Sequence, residues 1–434
     1  MILKGLIKMK KPITAIIVGG GHRSFIYGDY SENHPEDLKV VGIADPDPER
    51  VRQAVEKFGI SEDMCFKSAE ELAGKGKIAD VIINGTMDKD HVRTSIPLLE
   101  CGYDMLLEKP FAVNKEEMAK LVDVVKKHGN KVMICHVLRY SEFYKAIKNI
   151  ISSGEIGEVI SIQLCEDVSY HHYATSYVRG KWANSEKCGT SMLLAKCCHD
   201  LDMMMWLMGD VKPEFVTSTG SLMYFNRRNA PEDSGERCMV DCKYVDTCSL
   251  SARRIYLDLP GRWDFYVWPE LHSATYDEKY EFLKNVSPFG KCAYKCDNNV
   301  VDHQTVMISF SNGATGSHNL TGGCAFSQRI VRVIGTKAEI NGTFESQKFT
   351  VSRVDPHNDD DHVSTVYDLS DKCSASVGHG GGDHALVEDF IKYVRNEETS
   401  PSCTSIFDSV NGHLVVFAAD ESMENGGIPV KTKL

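Results

Sequence analysis

Between residues 13 and 107 the chain alternates short apolar runs with stretches at helical spacing. Ile13–Val18 is almost wholly apolar, as a strand covered on both faces of a parallel sheet must be, and it runs into Gly19-Gly20-Gly21. Further strands are predicted at 40–44, closed by Asp45, and at 80–84, 104–107 and 131–135. Helices are predicted at 48–58, with a proline in the first turn and Gly59 after the end, at 91–101, and at 115–128 before Gly129. Strands alternating with helices of this length give an α/β fold with a parallel, doubly wound sheet.

The rhythm changes near residue 138. Period-two alternation at 159–165, 305–310, 316–320, 330–334 and 348–353 predicts an open, mainly antiparallel mixed sheet with one covered face. A helix at 192–208 interrupts it. Helices at 384–395 and 405–422 follow, the first preceded by the flexible run Gly378-His379-Gly380-Gly381-Gly382. No internal repeat is visible, and 226–288 resists assignment. The expected division is a doubly wound domain at 1–137 and an α/β domain at 138–434, with a cysteine-rich insertion around 226–300.

Composition narrows the possibilities. A chain of 434 residues suits two domains, and 42% hydrophobic with 25% charged residues excludes a mainly disordered protein. The net charge of −12 argues against binding a phosphate backbone, which needs a basic face, so no nucleic-acid partner is expected. No stretch reaches the roughly 20 apolar residues of a membrane helix. Residues 1–11 lack the apolar run and small-residue cleavage site of a secretory leader. The 15 cysteines, an odd number in so long a chain, read as free thiols in a reducing cytoplasm rather than as a disulfide scaffold.

Candidate chemistry begins at the end of the first strand, in Val18-Gly19-Gly20-Gly21-His22-Arg23-Ser24. Gly19 permits a tight turn, and Gly21 lets the backbone approach a pyrophosphate where a helix presents free N–H groups and a favourable dipole. Ser24 stands in place of the third glycine of G-x-G-x-x-G. Asp45, at the end of the next strand, is placed to bond the adenosine ribose hydroxyls. Together these predict a Rossmann domain for a nicotinamide dinucleotide. Asp45 repels a 2′-phosphate and Pro46-Asp47 brings no basic partner, which favours NAD; Arg23, near enough to meet such a phosphate, leaves NADP open.

The order of motifs resembles the glucose–fructose oxidoreductase, inositol dehydrogenase and MocA (Gfo/Idh/MocA) family. The matching pieces are the glycine turn, Asp45, Thr86 to His91, Glu108-Lys109-Pro110, Arg139-Tyr140-Ser141, Gly154-Glu155-Ile156-Gly157 and His199-Asp200-Leu201-Asp202. The resemblance implies a Rossmann domain followed by an α/β domain with an open mixed sheet. It implies Gly19, Gly21, His22, Arg23, Ser24 and Asp45 around the adenosine half of the cofactor, Thr86, His91, Glu108 and Lys109 bordering the nicotinamide half, and Arg139 at the junction. Lys109 then polarises the reacting hydroxyl oxygen and His199 takes its proton. A base near neutrality and a cation beside the developing alkoxide are what carbinol oxidation needs. Asp202, three residues beyond His199, either influences the imidazole or serves local packing.

One departure stands out. Many family members carry an aspartate four residues before this histidine, where this chain has Ala195 followed by Lys196. Either Lys109 and His199 handle the proton alone, or Lys196 adds a second cation; otherwise Lys196 faces solvent or bonds a cofactor phosphate. The substitution weakens the case for an inositol-type substrate.

Aromatic rings, histidines and cations crowd residues 170–182, as a polyhydroxylated ligand would require. His172, Arg179 and Trp182 are the leading contacts there, with Lys196, Asp302 and His303 as further ones; a segment that only packs on the sheet is the plain alternative. Cys238, Cys242, Cys248, Cys292 and Cys296 offer four ligands for a structural zinc, although the spacings C-x3-C-x5-C and C-x3-C also fit unliganded thiols. The expected protein is an NAD(P)-dependent dehydrogenase acting on a ring hydroxyl of a sugar, sugar derivative or glycoside. The rivals are an NAD-dependent glycosidase and a dinucleotide-binding sensor without turnover. The resemblance also implies a homodimer or homotetramer paired through the open sheet.

Overall fold

The computed structural model describes residues 11–259, 261–262, 266–268, 274–372 and 382–433. These group into two compact units, one from Met1–Lys145 with Lys372–Val410 and the other from Ala146–Asp371 with Asn411–Lys433.

The first unit holds a six-stranded, all-parallel sheet. Its strands are β1 (Ile13–Val18), β2 (Leu38–Ala44), β3 (Cys65–Phe66), β4 (Val81–Asn84), β5 (Asp104–Leu107) and β6 (Val132–Ile134), in the order β3-β2-β1-β4-β5-β6. The apolar runs become the central strands because both of their faces are covered. The helices Pro48–Phe58 and Lys115–His128 start where Asp47 and Asn114 side chains accept the Glu49 and Glu117 backbone N–H groups, and they stop at Gly59 and Gly129. The strand order reverses between β1 and β4, and the glycine turn lies at that switch point. The helix Gly382–Val394 belongs to this unit, with Leu386, Val387, Phe390 and Ile391 in its core. Of the glycine run expected before it, residues 378–381 lie outside the described residues.

The second unit carries a nine-stranded sheet in the order β14-β13-β12-β11-β7-β10-β9-β8-β15. The strands are β7 (Val159–Ser169), β8 (Pro213–Ser221), β9 (His303–Phe310), β10 (Thr315–Cys324), β11 (Gln328–Gly335), β12 (Glu339–Thr343), β13 (Lys348–Val354), β14 (His362–Asp368) and β15 (Val430–Lys431). Only β7 and β10 pair in parallel. The predicted helix at 192–208 is two pieces: a wide π-type turn at Leu193–Cys197, then the helix Cys198–Met208, every residue of which is buried. None of the described helices is long and apolar enough to cross a membrane.

In this unit the helix Ile406–Glu424 presents Asp420 to Ser191 Oγ (2.6 Å) and Gln304 Nε2 (3.4 Å). Burial pushes the Asp420 carboxyl up to about 6, against both hydrogen bonds. A carboxyl raised in the folded state stabilises the fold fully below the ordinary carboxylate range, and that contribution is lost as pH rises through about 6. Asp420→Asn should therefore raise stability at pH 8 by about 3 kcal/mol and change little near pH 4. Thermal unfolding at the two pH values checks this; an equal shift at both refutes it.

Candidate active site

In the first unit the turn after β1 is set by space. Gly19 has φ +82°, and a Cβ there would lie 2.7 Å from the Thr86 backbone nitrogen, so only glycine fits without displacing main chain. Ser24 is buried and donates from Oγ to the Gly19 carbonyl (2.7 Å). Its hydroxyl fills the place that a side chain at Gly85, just past β4, would need. The third-glycine position is thus a close helix–strand contact that a serine satisfies. Asp45 is buried at the end of β2 and accepts the backbone N–H groups of Gly20 (2.7 Å) and Asp47 (2.8 Å). Arg50, half exposed, stands 3.6 Å from the Asp45 carboxylate. This arrangement fits a dinucleotide: a side-chain-free turn, a helix starting at His22, and a fixed carboxylate at the strand end.

Several residues expected on the cofactor also hold the scaffold. Arg23 donates to Glu108 Oε1 (3.0 Å), to Tyr27 Oη (2.5 Å) and to Asp383 Oδ1 (2.5 Å). Its guanidinium is committed to two carboxylates rather than held for a 2′-phosphate. Tyr27 also donates to Glu108 Oε1 (2.6 Å). Burial alone would push the Glu108 carboxyl up, but the Arg23 guanidinium, then Lys109 and the Tyr27 hydroxyl, hold it below the usual range. The other Glu108 oxygen accepts the Lys109 backbone N–H (2.9 Å), which fixes the main chain at the half-buried lysine. The buried His91 has its ring nitrogens at the Pro110 (2.7 Å) and Thr86 (3.1 Å) carbonyls, tying together the loops after β4 and β5. Thr86 bonds Asn84 Oδ1 (2.9 Å), Arg139 is buried in the turn Val137–Tyr140, and His22 is exposed.

In the second unit a buried charge cluster adjoins the helix of His199. Lys196 Nζ lies 2.9 Å from Glu166 Oε1. Arg329 Nε lies 2.7 Å from Glu166 Oε2 and 3.0 Å from Asp200 Oδ1. Arg329 on β11 sits directly opposite Glu166 on β7 in the ladder. The Lys196 side chain is 15% exposed, so it does not simply face solvent. His172 is buried as well. Burial, followed by the Lys196 and Arg329 charges, pushes its imidazole well below the ordinary value, so it is neutral at pH 7. The π-type turn ends two residues before His199. The wider turn changes the residue count per turn there, so four-residue spacing alone does not fix which face Ala195 shares with His199.

Two expected substrate contacts, Asp302 and Arg179, have hydrogen bonds to the protein itself, and Arg179 also lines the cavity beside Trp182. Asp302 is buried and accepts the backbone N–H groups of Met223 (3.1 Å), Tyr224 (2.6 Å) and Phe225 (3.2 Å), with His303 Nδ1 at 2.9 Å. It shapes the chain after β8. Arg179 gives its donors to the Lys291 (2.8 Å) and Leu250 (2.7 Å) carbonyls and to Tyr256 Oη (3.4 Å). Trp182 keeps an open surface: with Lys181 Nζ 4.2 Å above its ring, it lines a cavity of about 410 Å³ shared with Ser176, Tyr266 and Phe289.

Residues 13–136 match the family model described as the NAD-binding Rossmann fold of an oxidoreductase family, and residues 148–432 match that family's C-terminal alpha/beta domain. The chain belongs to the Gfo/Idh/MocA oxidoreductase family. A curated relative, the proposed oxidoreductase YteT of Bacillus subtilis, is 25% identical over 83% of each chain. An inositol 2-dehydrogenase of Burkholderia lata is 26% identical over 40% of this chain and 47% of its own length. Among solved structures, a levoglucosan dehydrogenase complexed with NADH and levoglucosan has TM-score 0.70 at 18% identity, covering 98% of this chain and all of that one.

Within the family's Rossmann fold, then, the dinucleotide turn is fixed by Gly19, Gly85, Ser24 and Asp45. Arg50, Asp383, Glu166 and Arg329 were missed. Arg50 lies only five residues past Asp45 and was visible in principle; the other three needed contacts distant in sequence. Gly19→Ala should weaken NAD binding by roughly tenfold, from left-handed strain and the Thr86 clash. Calorimetric titration with NAD checks this; an unchanged Kd refutes it.

Proposed function

We propose that the protein is an NAD-dependent dehydrogenase interconverting a ring hydroxyl and a ketone of a sugar, sugar derivative or glycoside. The observation that carries the cofactor reading is the buried Asp45 carboxylate bonded to the glycine turn. It favours a ribose diol over a 2′-phosphate, although Arg50 stands beside it and Arg23 does not. The substrate reading rests on relatives that act on inositol and levoglucosan, and on the aromatic-lined cavity at Trp182.

Bound NAD supplies the hydride acceptor. Lys109 Nζ stabilises the substrate oxygen as it loses its proton, while its backbone is held by Glu108. The His199 imidazole accepts that proton. Lys196, paired with Glu166, stands next to the place of the family's aspartate as part of a charge-balanced cluster, and His172 beside it is a neutral hydrogen-bonding partner for a hydroxyl.

Exposed Ile160, Phe215 and Met307 on the second sheet support a homodimer or homotetramer, and the free thiols support a reducing, cytoplasmic location. For the cysteine-rich insertion the reading is a structural metal rather than a catalytic one.

NADH formation over a panel of hexoses, cyclitols and glycosides identifies the substrate. Lys109→Ala and His199→Ala should then each lower kcat by roughly 10²–10⁴ with NAD affinity retained. Near-wild-type turnover by both variants overturns the assignment. Release of an aglycone without net NADH replaces the dehydrogenase with a redox-neutral glycosidase.

A further inference from the structure

We infer that Cys238, Cys242, Cys248 and Cys292 bind one zinc ion through their four sulfurs, and that this ion braces the insertion between β8 and β9. The inference goes beyond the dehydrogenase reading and does not depend on it.

The insertion needs a brace. Among its described residues the only α-helix longer than a turn or two is Tyr276–Asn285, and the stretch 230–250 is mostly turns. The insertion's buried side chains, among them Leu250, Ile255, Tyr256 and Leu283, sit on largely irregular backbone, and elements with little regular structure are often held by disulfides or metals. The fourteen described cysteines are all free thiols.

The four cysteines come from two chain segments and line one small cavity of about 20 Å³ with Leu250, Ala293 and Tyr294. A space of that size admits one atom-sized occupant, roughly one water. Thiols are weak partners for a water but strong zinc ligands once ionised. The segments are already joined there. Cys238 N donates to the Gly290 carbonyl (3.0 Å) and Cys292 N to the Glu236 carbonyl (2.9 Å), on either side of the Arg237–Lys291 bridge. Four thiolates brought together at one cavity need a cation among them.

Zinc supplies that cation. Binding releases four protons to solvent, oxidises nothing and leaves a net charge of −2 on the tetrathiolate site. The buried Arg179, with Nη2 3.8 Å from Cys238 Sγ, offsets part of it and donates to the ligand sulfur. Its bonds to the Leu250 and Lys291 carbonyls clamp the residues next to the ligand loops. Cys296 is left out: its thiol donates to the Cys292 carbonyl (3.3 Å) and does not line the cavity.

A rival cluster fails on charge. Cys197, Asp200 and His318 lie within 4.8 Å of one another and are buried, but Arg329 already brings a cation 3.0 Å from the Asp200 carboxylate.

The test is elemental analysis of the full-length protein purified without chelators. One zinc per chain is expected. Cys248→Ser and Cys292→Ser should lower the zinc content roughly tenfold or more, whereas Cys296→Ser keeps it. If the first two variants do not fold, cobalt exchange into the wild-type protein decides instead. A tetrahedral tetrathiolate spectrum with sulfur-to-metal charge transfer supports the site, and its absence overturns it. Stoichiometric iron, no metal, loss of zinc from Cys296→Ser, or disulfides among these cysteines under non-reducing mass spectrometry would each overturn it. Dehydrogenase activity enters none of these readouts.

Discussion

A charge taken out of water survives only where its opposite arrives with it, and that constraint organises both units. In the first, Arg23 is shared between Glu108 and Asp383, with Tyr27 filling the remaining hydrogen bonds. In the second, Glu166 meets Lys196 and Arg329, and Arg329 extends to Asp200. Removing one partner from such a group leaves an uncompensated buried charge, typically several kcal/mol, whereas the intact set contributes little net stability. What each network secures is position. Glu108 fixes the main chain at Lys109, and the Glu166 pair fixes the Lys196 ammonium in the turn leading to His199.

The parallel sheet was legible because a strand covered on both faces must be apolar along its length. The runs at 13–18 and 104–107 and the helices at 48–58 and 115–128 coincide with the structure, and caps and stop glycines set their ends. The second sheet was half legible. Strands such as β9 alternate visibly, but β14 is an edge strand with both faces largely exposed, and β8 opens on a proline, so neither carries a period-two signal. Residue type pointed to Arg179 and Asp302 as ligand contacts, yet it cannot tell whether their hydrogen bonds are spent on the protein itself.

The π-type turn shows where spacing arguments end. Counting four residues back from His199 presumes 3.6 residues per turn, and the wide turn at Leu193–Cys197 breaks that count just where the family's aspartate would stand. In this chain Lys196 meets, from β7, the Glu166 carboxylate that makes a buried ammonium tolerable.

The insertion was illegible for a related reason. Periodicity reports how a segment divides its surface between core and water, and it is silent where a segment is held by a few point contacts. Between β8 and β9 the contacts include a guanidinium on carbonyls, a carboxylate on three backbone N–H groups and four cysteines lining one cavity. None of these repeats along the chain. Arg179, which also lines the larger cavity beside Trp182, joins the sulfur cluster to the wall of that cavity. The shape of the wall is thereby tied to contacts that hydrophobic patterning does not encode.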